Sequence, residues 1–308
     1  MIIIKRALCA LAVALAAVIA TGAWPVRAAA QDCRPERRAE IAESPMGNVP
    51  IVTVRVNGLP ADLLFDTGAE RTILTAAAAT RLGIVAHYEY ARHMRSIGSA
   101  VAGGSAKLRA FDIGGMTTRG FRVLVGSVSL PTVDGRPLDG LLGADFFDDF
   151  DVDIDLANRR VLLYAPQSCP TEAPAWSEPY TTIAANRSLH DRLFFPVALD
   201  GHPLAALIDT GAQLTALDAS SAAALGVTGA ELARDPVTTL RGAAAETVKS
   251  HAHRFMRLDI AGQVVRDPLI MVAPLGLQDA DLVLGADFLR AHRVWLSYAS
   301  HLIFLGRP

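Results

Sequence analysis

The chain carries one sequence pattern twice. Residues 56–74 read VNGLPADLLFDTGAERTIL and residues 199–217 read LDGHPLAALIDTGAQLTAL. An offset of 143 positions lays Gly58 on Gly201, Pro60 on Pro203, Asp66-Thr67-Gly68-Ala69 on Asp209-Thr210-Gly211-Ala212, and Thr72 on Thr215. A second shared block, LLGADFF at 141–147 and VLGADFL at 283–289, stands at an offset of 142, slipped by one residue. A repeat constrains a fold more than any local propensity, because each copy must adopt the same structure. The repeating unit is about 120 residues long, a single-domain size.

Between the copies lie Pro166, Pro170, Pro174 and Pro179, the composition of a stiff, extended connector. The expected organisation is a leader at 1–30, an N-terminal tail at 31–45, lobe 1 at 46–165, a Pro-rich linker at 166–185 and lobe 2 at 186–308. Each unit reads as β. Ile51 to Val56 is apolar and β-branched, and Asn57-Gly58 and Asp200-Gly201 supply the positive φ angles of tight hairpin turns. The strand after each turn runs directly into Asp66 or Asp209. Residues 75–82 and 218–225 favour a short helix, and each unit ends in apolar strands, Val161 to Tyr164 and Leu302 to Leu305.

The first residues differ in kind. Lys5 and Arg6 precede an apolar run from Ala7 to Ala20, then Pro25 and Ala28-Ala29-Ala30. A positive start, short apolar middle and small-residue end form a secretory signal, and the run is short for a membrane span. Its removal lowers Lys+Arg from 29 to 26 against 31 Asp+Glu. That weak acidity gives no reason to expect nucleic-acid binding. Cys33 and Cys169 remain after cleavage, and export permits a disulfide between them. Arginines outnumber lysines 26 to 3, a bias consistent with a GC-rich bacterial genome and a periplasmic location. If the leader stays, it becomes a membrane anchor.

Asp-Thr-Gly is common by chance. Two copies with matched flanks are not, and Gly143 and Gly285 follow their aspartates by 77 and 76 residues. In these motifs both units resemble retropepsin-like aspartic proteases, while the duplicated layout resembles the pepsin-like enzymes. The resemblance covers nearly all of the chain after the leader. It implies an all-β protein of two acid-protease β-barrel lobes in tandem with short helices. It also implies an endopeptidase acting on peptide or protein substrates, with no metal and no cofactor. Two adjacent carboxyls share one proton because like charges in contact cannot both ionise. One can then deprotonate an attacking water while the other protonates the carbonyl oxygen. Asp66 and Asp209 are the catalytic candidates.

Other roles follow from the same resemblance. Thr67 and Thr210 would bond across the interface, and Gly68 and Gly211 would let the backbone turn sharply. Ala69 and Ala212 complete the loops. Leu142, Gly143, Leu284 and Gly285 would pack behind them. Glu70 and Gln213 stand where the family meets substrate backbone. Flap tips are sought at 97–104 (IGSAVAGG) and 240–245 (LRGAAA), around Gly98 and Gly242. Ala69 and Ala212 bear no hydroxyl to favour the carboxylates, so a weakly acidic to near-neutral optimum is expected.

Two further patterns invite a metal. Residues 148–155 (DDFDVDID) have the acid spacing of a calcium loop but not its Gly and Glu. They read instead as a strand with one wet face. His251 and His253 have no third ligand near in sequence for zinc. The rival readings are a peptide-binding protein of this fold without turnover, and lobes that pair between chains, making the molecule a homodimer instead of a monomer.

Overall fold

The computed structural model describes residues 35–42, 50–96, 99–133, 135–166, 174–188, 192–242, 246–277 and 279–306. The leader, Cys33, Cys169 and Gly98 lie outside these residues. Among the described residues no helix is long and apolar enough to cross a membrane.

Lobe 1 runs β2 (Ile51–Val56), β3 (Leu59–Phe65), β4 (Ile73–Thr75), α1 (Ala76–Arg81), β5 (His87–Ser96), β6 (Ser99–Lys107), β7 (Phe111–Ile113), β8 (Met116–Thr118), β9 (Arg122–Gly126), β10 (Thr132–Val133), β11 (Arg136–Pro137), β12 (Gly140–Leu142), α2 (Ala144–Phe147), β13 (Asp151–Asp155) and β14 (Arg160–Tyr164). It is preceded by β1 (Arg37–Ala42). Lobe 2 follows β15 (Tyr180–Ala184) with β16 (Asn186–Arg187), β17 (Leu193–Leu199), β18 (His202–Ile208), β19 (Ala216–Asp218), α3 (Ala219–Ala224), α4 (Gly229–Leu232), β20 (Val237–Arg241), β21 (Thr247–Arg254), β22 (Arg257–Ile260), β23 (Gln263–Arg266), β24 (Leu269–Ala273), β25 (Leu282–Leu284), α5 (Ala286–Leu289), β26 (Val294–Ser297) and β27 (Leu302–Gly306).

The two main sheets have the same order. Lobe 1 reads β5-β6-β9-β4-β12-β3-β2-β7-β8, and lobe 2 reads β20-β21-β24-β19-β25-β18-β17-β22-β23. In each, the strand ending at the aspartate pairs in parallel with the strand ending at the second motif. Leu63 to Phe65 align with Gly140 to Leu142, and Ala206 to Ile208 with Leu282 to Leu284. This crossing brings two motifs far apart in sequence to adjacent strand ends. The hairpin turns have the positive φ angles their sequences require, 53° and 89° at Asn57-Gly58 and 51° and 83° at Asp200-Gly201. Thr75 and Asp218 cap α1 and α3 by accepting from Ala78 N and Ser220 N.

A third sheet, β1-β14-β13-β26-β27-β15, joins the lobes, with β13 paired to β26 across the boundary. It corrects two boundaries drawn from sequence. The N-terminal tail contains β1, and the Pro-rich linker contains β15. These strands lie 143 positions apart at their starts, Arg37 and Tyr180. The structural repeat therefore begins earlier in each copy than the sequence repeat. An edge strand pairs on one side only, so RRAEIA and YTTIA need share little beyond extended backbone.

The wet face expected for the 148–155 strand is also corrected. Asp151, Asp153 and Asp155 on β13 are all buried. The strand is interior to the joining sheet, and its acids are matched by partners. Arg293, leading into β26, donates Nε to Asp153 at 2.8 Å and adds a second bond through its other nitrogen. Trp176 donates to the same carboxylate at 3.2 Å and lies under the guanidinium at 4.7 Å. Asp155 accepts from Asn158 and Arg160. One residue from each lobe and one from the connector thus meet around a single buried charge.

Candidate active site

The Asp66 loop forms because β3 has nowhere to continue. Asp66 N still donates to Leu142 O at 3.0 Å, in line with the strand pairing, and then the chain turns away. Asp66 Oδ1 accepts from Gly68 N at 3.0 Å and Ala69 N at 2.9 Å. In lobe 2 Asp209 N donates to Leu284 O, and Asp209 Oδ1 accepts from Gly211 N at 2.9 Å and Ala212 N at 3.0 Å. Each loop is thus a local turn that fixes one carboxyl oxygen by two backbone N–H groups.

The two loops are sewn together by their threonines. Thr67 N donates to Thr210 Oγ1 at 3.0 Å and Thr210 N to Thr67 Oγ1 at 3.2 Å. Each hydroxyl then donates across the boundary, Thr67 to Ile208 O at 2.8 Å and Thr210 to Phe65 O at 2.6 Å. Both threonines are buried, so every polar group in the reciprocal set is satisfied where water cannot replace it.

This pairing brings the aspartates face to face. The two carboxyls come close enough to perturb each other's ionisation, and both residues remain partly exposed. Each lies over the other loop's glycine. A Cβ on Gly68 would overlap the Asp209 carboxyl, and one on Gly211 would overlap that of Asp66. The glycines are therefore required for approach, since neither has the positive φ that favours glycine in a turn. Asp66 is pushed well above the ordinary carboxylate range, first by burial and then by the charge of Asp209. Asp209 is raised by burial, while its hydrogen bonds with Asp66, Ala212 and Gly211 and the charge of Arg192 act against the rise. Such a pair can hold a single proton between two oxygens.

A supporting network that sequence reasoning missed lies behind the loops. Asp145 accepts from Thr72 N and Oγ1, both at 2.8 Å, and Thr72 Oγ1 accepts from Gly143 N. Asp287 accepts from Thr215 N and Oγ1, and Thr215 Oγ1 accepts from Gly285 N. Ala144 N and Ala286 N reach back to Ala69 O and Ala212 O, each at 2.8 Å. Leu142 and Leu284 are fully buried beneath, and a Cβ on Gly143 or Gly285 would strike the backbone of Arg71 or Leu214. The signal was present: Thr72, Thr215, Asp145 and Asp287 all recur between the copies.

The remaining candidates are less symmetric. Glu70 is buried and ion-paired to Arg192 at 3.2 Å, whereas Gln213 is exposed. Of the segment 97–104, residues 99–104 belong to β6, whose Ser99 pairs with Ser96 of β5; Ile97 and Gly98 lie outside the described residues. Gly242 closes the shorter β20–β21 hairpin by donating to Glu246 O. His253 is paired to Asp235 at 2.7 Å. An open hollow lined by His202, Leu204, Ser221 and Asp281 takes no residue from either Asp loop.

Two barrels of one topology, each closing a strand with Asp-Thr-Gly and joined at those loops, define the class of aspartic-type peptidases in its duplicated form. Both halves match the family model described as Aspartyl protease, over residues 52–146 and 195–288, and the chain belongs to that family, in its retropepsin-like branch. No curated protein matches the chain.

Proposed function

We propose that the protein is an exported aspartic endopeptidase in which one chain supplies both halves of a single catalytic dyad. The observation that carries this reading is that the Asp66 carboxyl lies against Gly211 and the Asp209 carboxyl against Gly68, each in the other lobe's loop. In the working state the pair holds one proton. The ionised carboxyl takes a proton from water as its oxygen attacks the peptide carbonyl carbon, and the protonated one delivers its proton to the carbonyl oxygen. The tetrahedral intermediate then breaks its C–N bond. The amine nitrogen receives the proton taken from water, and the other carboxylate recovers one from an intermediate hydroxyl.

The joining sheet and the Asp153–Arg293–Trp176 cluster support an intramolecular site over one made by exchange between chains. The leader at 1–30 supports export to the periplasm or beyond. The absence of a hydroxyl at Ala69 and Ala212 supports an optimum in weak acid to neutral pH, and a rate profile peaking only in strong acid would count against it.

The test is to express residues 31–308 and follow cleavage of a peptide mixture, with molar mass from light scattering. Asp66→Asn and Asp209→Asn should each abolish cleavage, by about 10³-fold or more, in a monomer. Residual activity in both single variants would mean separate sites formed between chains. No cleavage by the wild type at any pH would leave a binding protein.

A further inference from the structure

We propose that the hollow at the end of α3 in lobe 2 is a binding site for a guanidinium group, the group that lobe 1 supplies to the same place from its own chain. The hollow takes no residue from either Asp loop, so the site is independent of the dyad reading.

In lobe 1 the last residue of α1 is Arg81. Its guanidinium bridges two acceptors. One nitrogen lies 2.7 Å from Asp139 Oδ1, and another donates to Pro60 O at 3.0 Å. Asp139 Oδ2 accepts from Asp62 N at 2.9 Å, which fixes the carboxylate beside β3. A carboxylate and a carbonyl held apart in this way suit the planar fork of an arginine, which reaches both, better than the single ammonium of a lysine.

Lobe 2 repeats both acceptors without the cation. Asp281 Oδ2 accepts from Ala205 N at 2.9 Å, as Asp139 does from Asp62. Pro203 pairs with Ala198 in the register in which Pro60 pairs with Arg55, so its carbonyl keeps the place of Pro60 O. The helix, however, ends at Ala224, 143 positions after Arg81. Around the truncated position lies the hollow, of about 390 Å³, lined by His202, Pro203, Ser221, Ala224, Leu225 and Asp281. That volume falls in the range of roughly 300–1,000 Å³ common to small-ligand sites.

The carboxylate retains capacity for a ligand. Ser221, at the position of Ala78, donates to Asp281 Oδ1 at 2.6 Å. The hydroxyl supplies a hydrogen bond but no charge. A carboxylate offers about four acceptor sites, and Asp281 uses two of them, on Ala205 N and Ser221 Oγ. Its side chain meets no cation among the described residues. His202, at the position of Leu59, is the one lining side chain that opposes a cation, and only when it is protonated. The guanidinium arrives either on a small molecule or on an arginine of a polypeptide, and the recognition is the same for both.

Isothermal titration at about pH 8, where an ordinary histidine is neutral, tests the site with N-acetylarginine amide and with acetyl-Gly-Arg-Gly amide, each against its lysine counterpart. Arg81 is 48% exposed, so a contact of this kind is partly screened. The wild type should bind the arginine probes with a Kd on the order of 1 mM, about 5-fold or more tighter than the lysine probes. Ala224→Arg rebuilds the lobe 1 arrangement. It should weaken binding about 10-fold or more and leave the cleavage rate of a peptide substrate unchanged. Asp281→Asn keeps an acceptor for Ala205 N and should weaken binding to a similar degree; where it fails to fold, Ala224→Arg decides alone. Equal binding of both arginine probes would support an arginine carried on a polypeptide, and exclusion of the longer probe would support a small guanidinium compound. Binding that survives Ala224→Arg would place the guanidinium elsewhere and overturn the proposal. It would also fall if no saturable binding occurs up to about 20 mM, or if lysine and arginine probes bind alike.

Discussion

The two lobes agree wherever a carboxyl has to be held and differ wherever a substrate would have to be met. Asp139 and Asp281, 142 positions apart, accept from the backbone N of Asp62 and Ala205, 143 positions apart. Asn57 and Asp200 each accept two backbone N–H bonds from the neighbouring loop. Against this sameness, among the described residues the β10–β11 pair has no counterpart in lobe 2, and α4 has none in lobe 1. The β5–β6 hairpin has strands of 10 and 9 residues, whereas β20 and β21 have 5 and 8. Glu70 is buried and paired, and its counterpart Gln213 faces solvent. A frame can be doubled because its bonds are internal to each copy. The cleft cannot stay symmetric, because a peptide has direction and presents different groups to its two sides.

The sheet between the lobes offers the sharpest way to break the comparison, because it belongs to neither copy alone. Asp153→Ala leaves Arg293 without its carboxylate and removes the acceptor of Trp176. The expected loss is about 3–5 kcal/mol of stability, the usual range for orphaning one member of a buried ion pair. Urea denaturation followed by Trp fluorescence measures it. A loss as small as that of an exposed pair such as Arg37–Glu40 would mean that the lobes are held by their apolar core alone.

The glycines test whether the copies are equal in the loops. Gly68→Ala and Gly211→Ala each drive a methyl into the opposite carboxyl. Displacement on the scale of an ångström costs about 10²-fold in rate, so kcat/KM should fall by about that factor in both. Equal losses with unchanged melting temperature would show a shared geometric role. A much larger loss in one variant would locate a working asymmetry in the loops themselves.

What the sequence disclosed and what it hid follow from how far each feature depends on a partner. The aspartates, the threonines and the hairpin turns were legible because their residue types are forced locally: only Asn-Gly or Asp-Gly suits the turn, and only glycine permits the carboxyl's approach. Thr72 and Asp145 were visible as repeated letters, but their meeting depends on a parallel crossing of β3 and β12 that no local pattern encodes. The edge strands β1 and β15 were read as tail and linker because one-sided pairing leaves sequence nearly free. The acids of β13 were misread for a related reason. Alternation of apolar and acidic residues means a wet face only when the other face has no Arg293 and Trp176 to cover it.

The smallest expected effect asks whether the dyad is equal in energy as well as in shape. Both aspartates are raised above their ordinary range in the folded protein, Asp66 the more strongly. A carboxyl raised on folding contributes fully below its unfolded value of about 3.9 and loses that contribution as pH climbs through the folded value, because the unfolded chain ionises freely and the folded pair resists. Asn keeps the acceptor that binds the loop N–H groups and cannot ionise. Asp66→Asn should therefore raise stability near neutral pH by about 1 kcal/mol, or about 2–4 °C in Tm, with the gain vanishing below about pH 4. Asp209→Asn should raise it less, since Asp66 is the more strongly raised of the two and remains in place. Scanning calorimetry of the two variants across pH decides the point: equal gains would mean that the lobes treat their aspartates alike, and a greater gain for Asp209→Asn would assign the ionised partner to lobe 1.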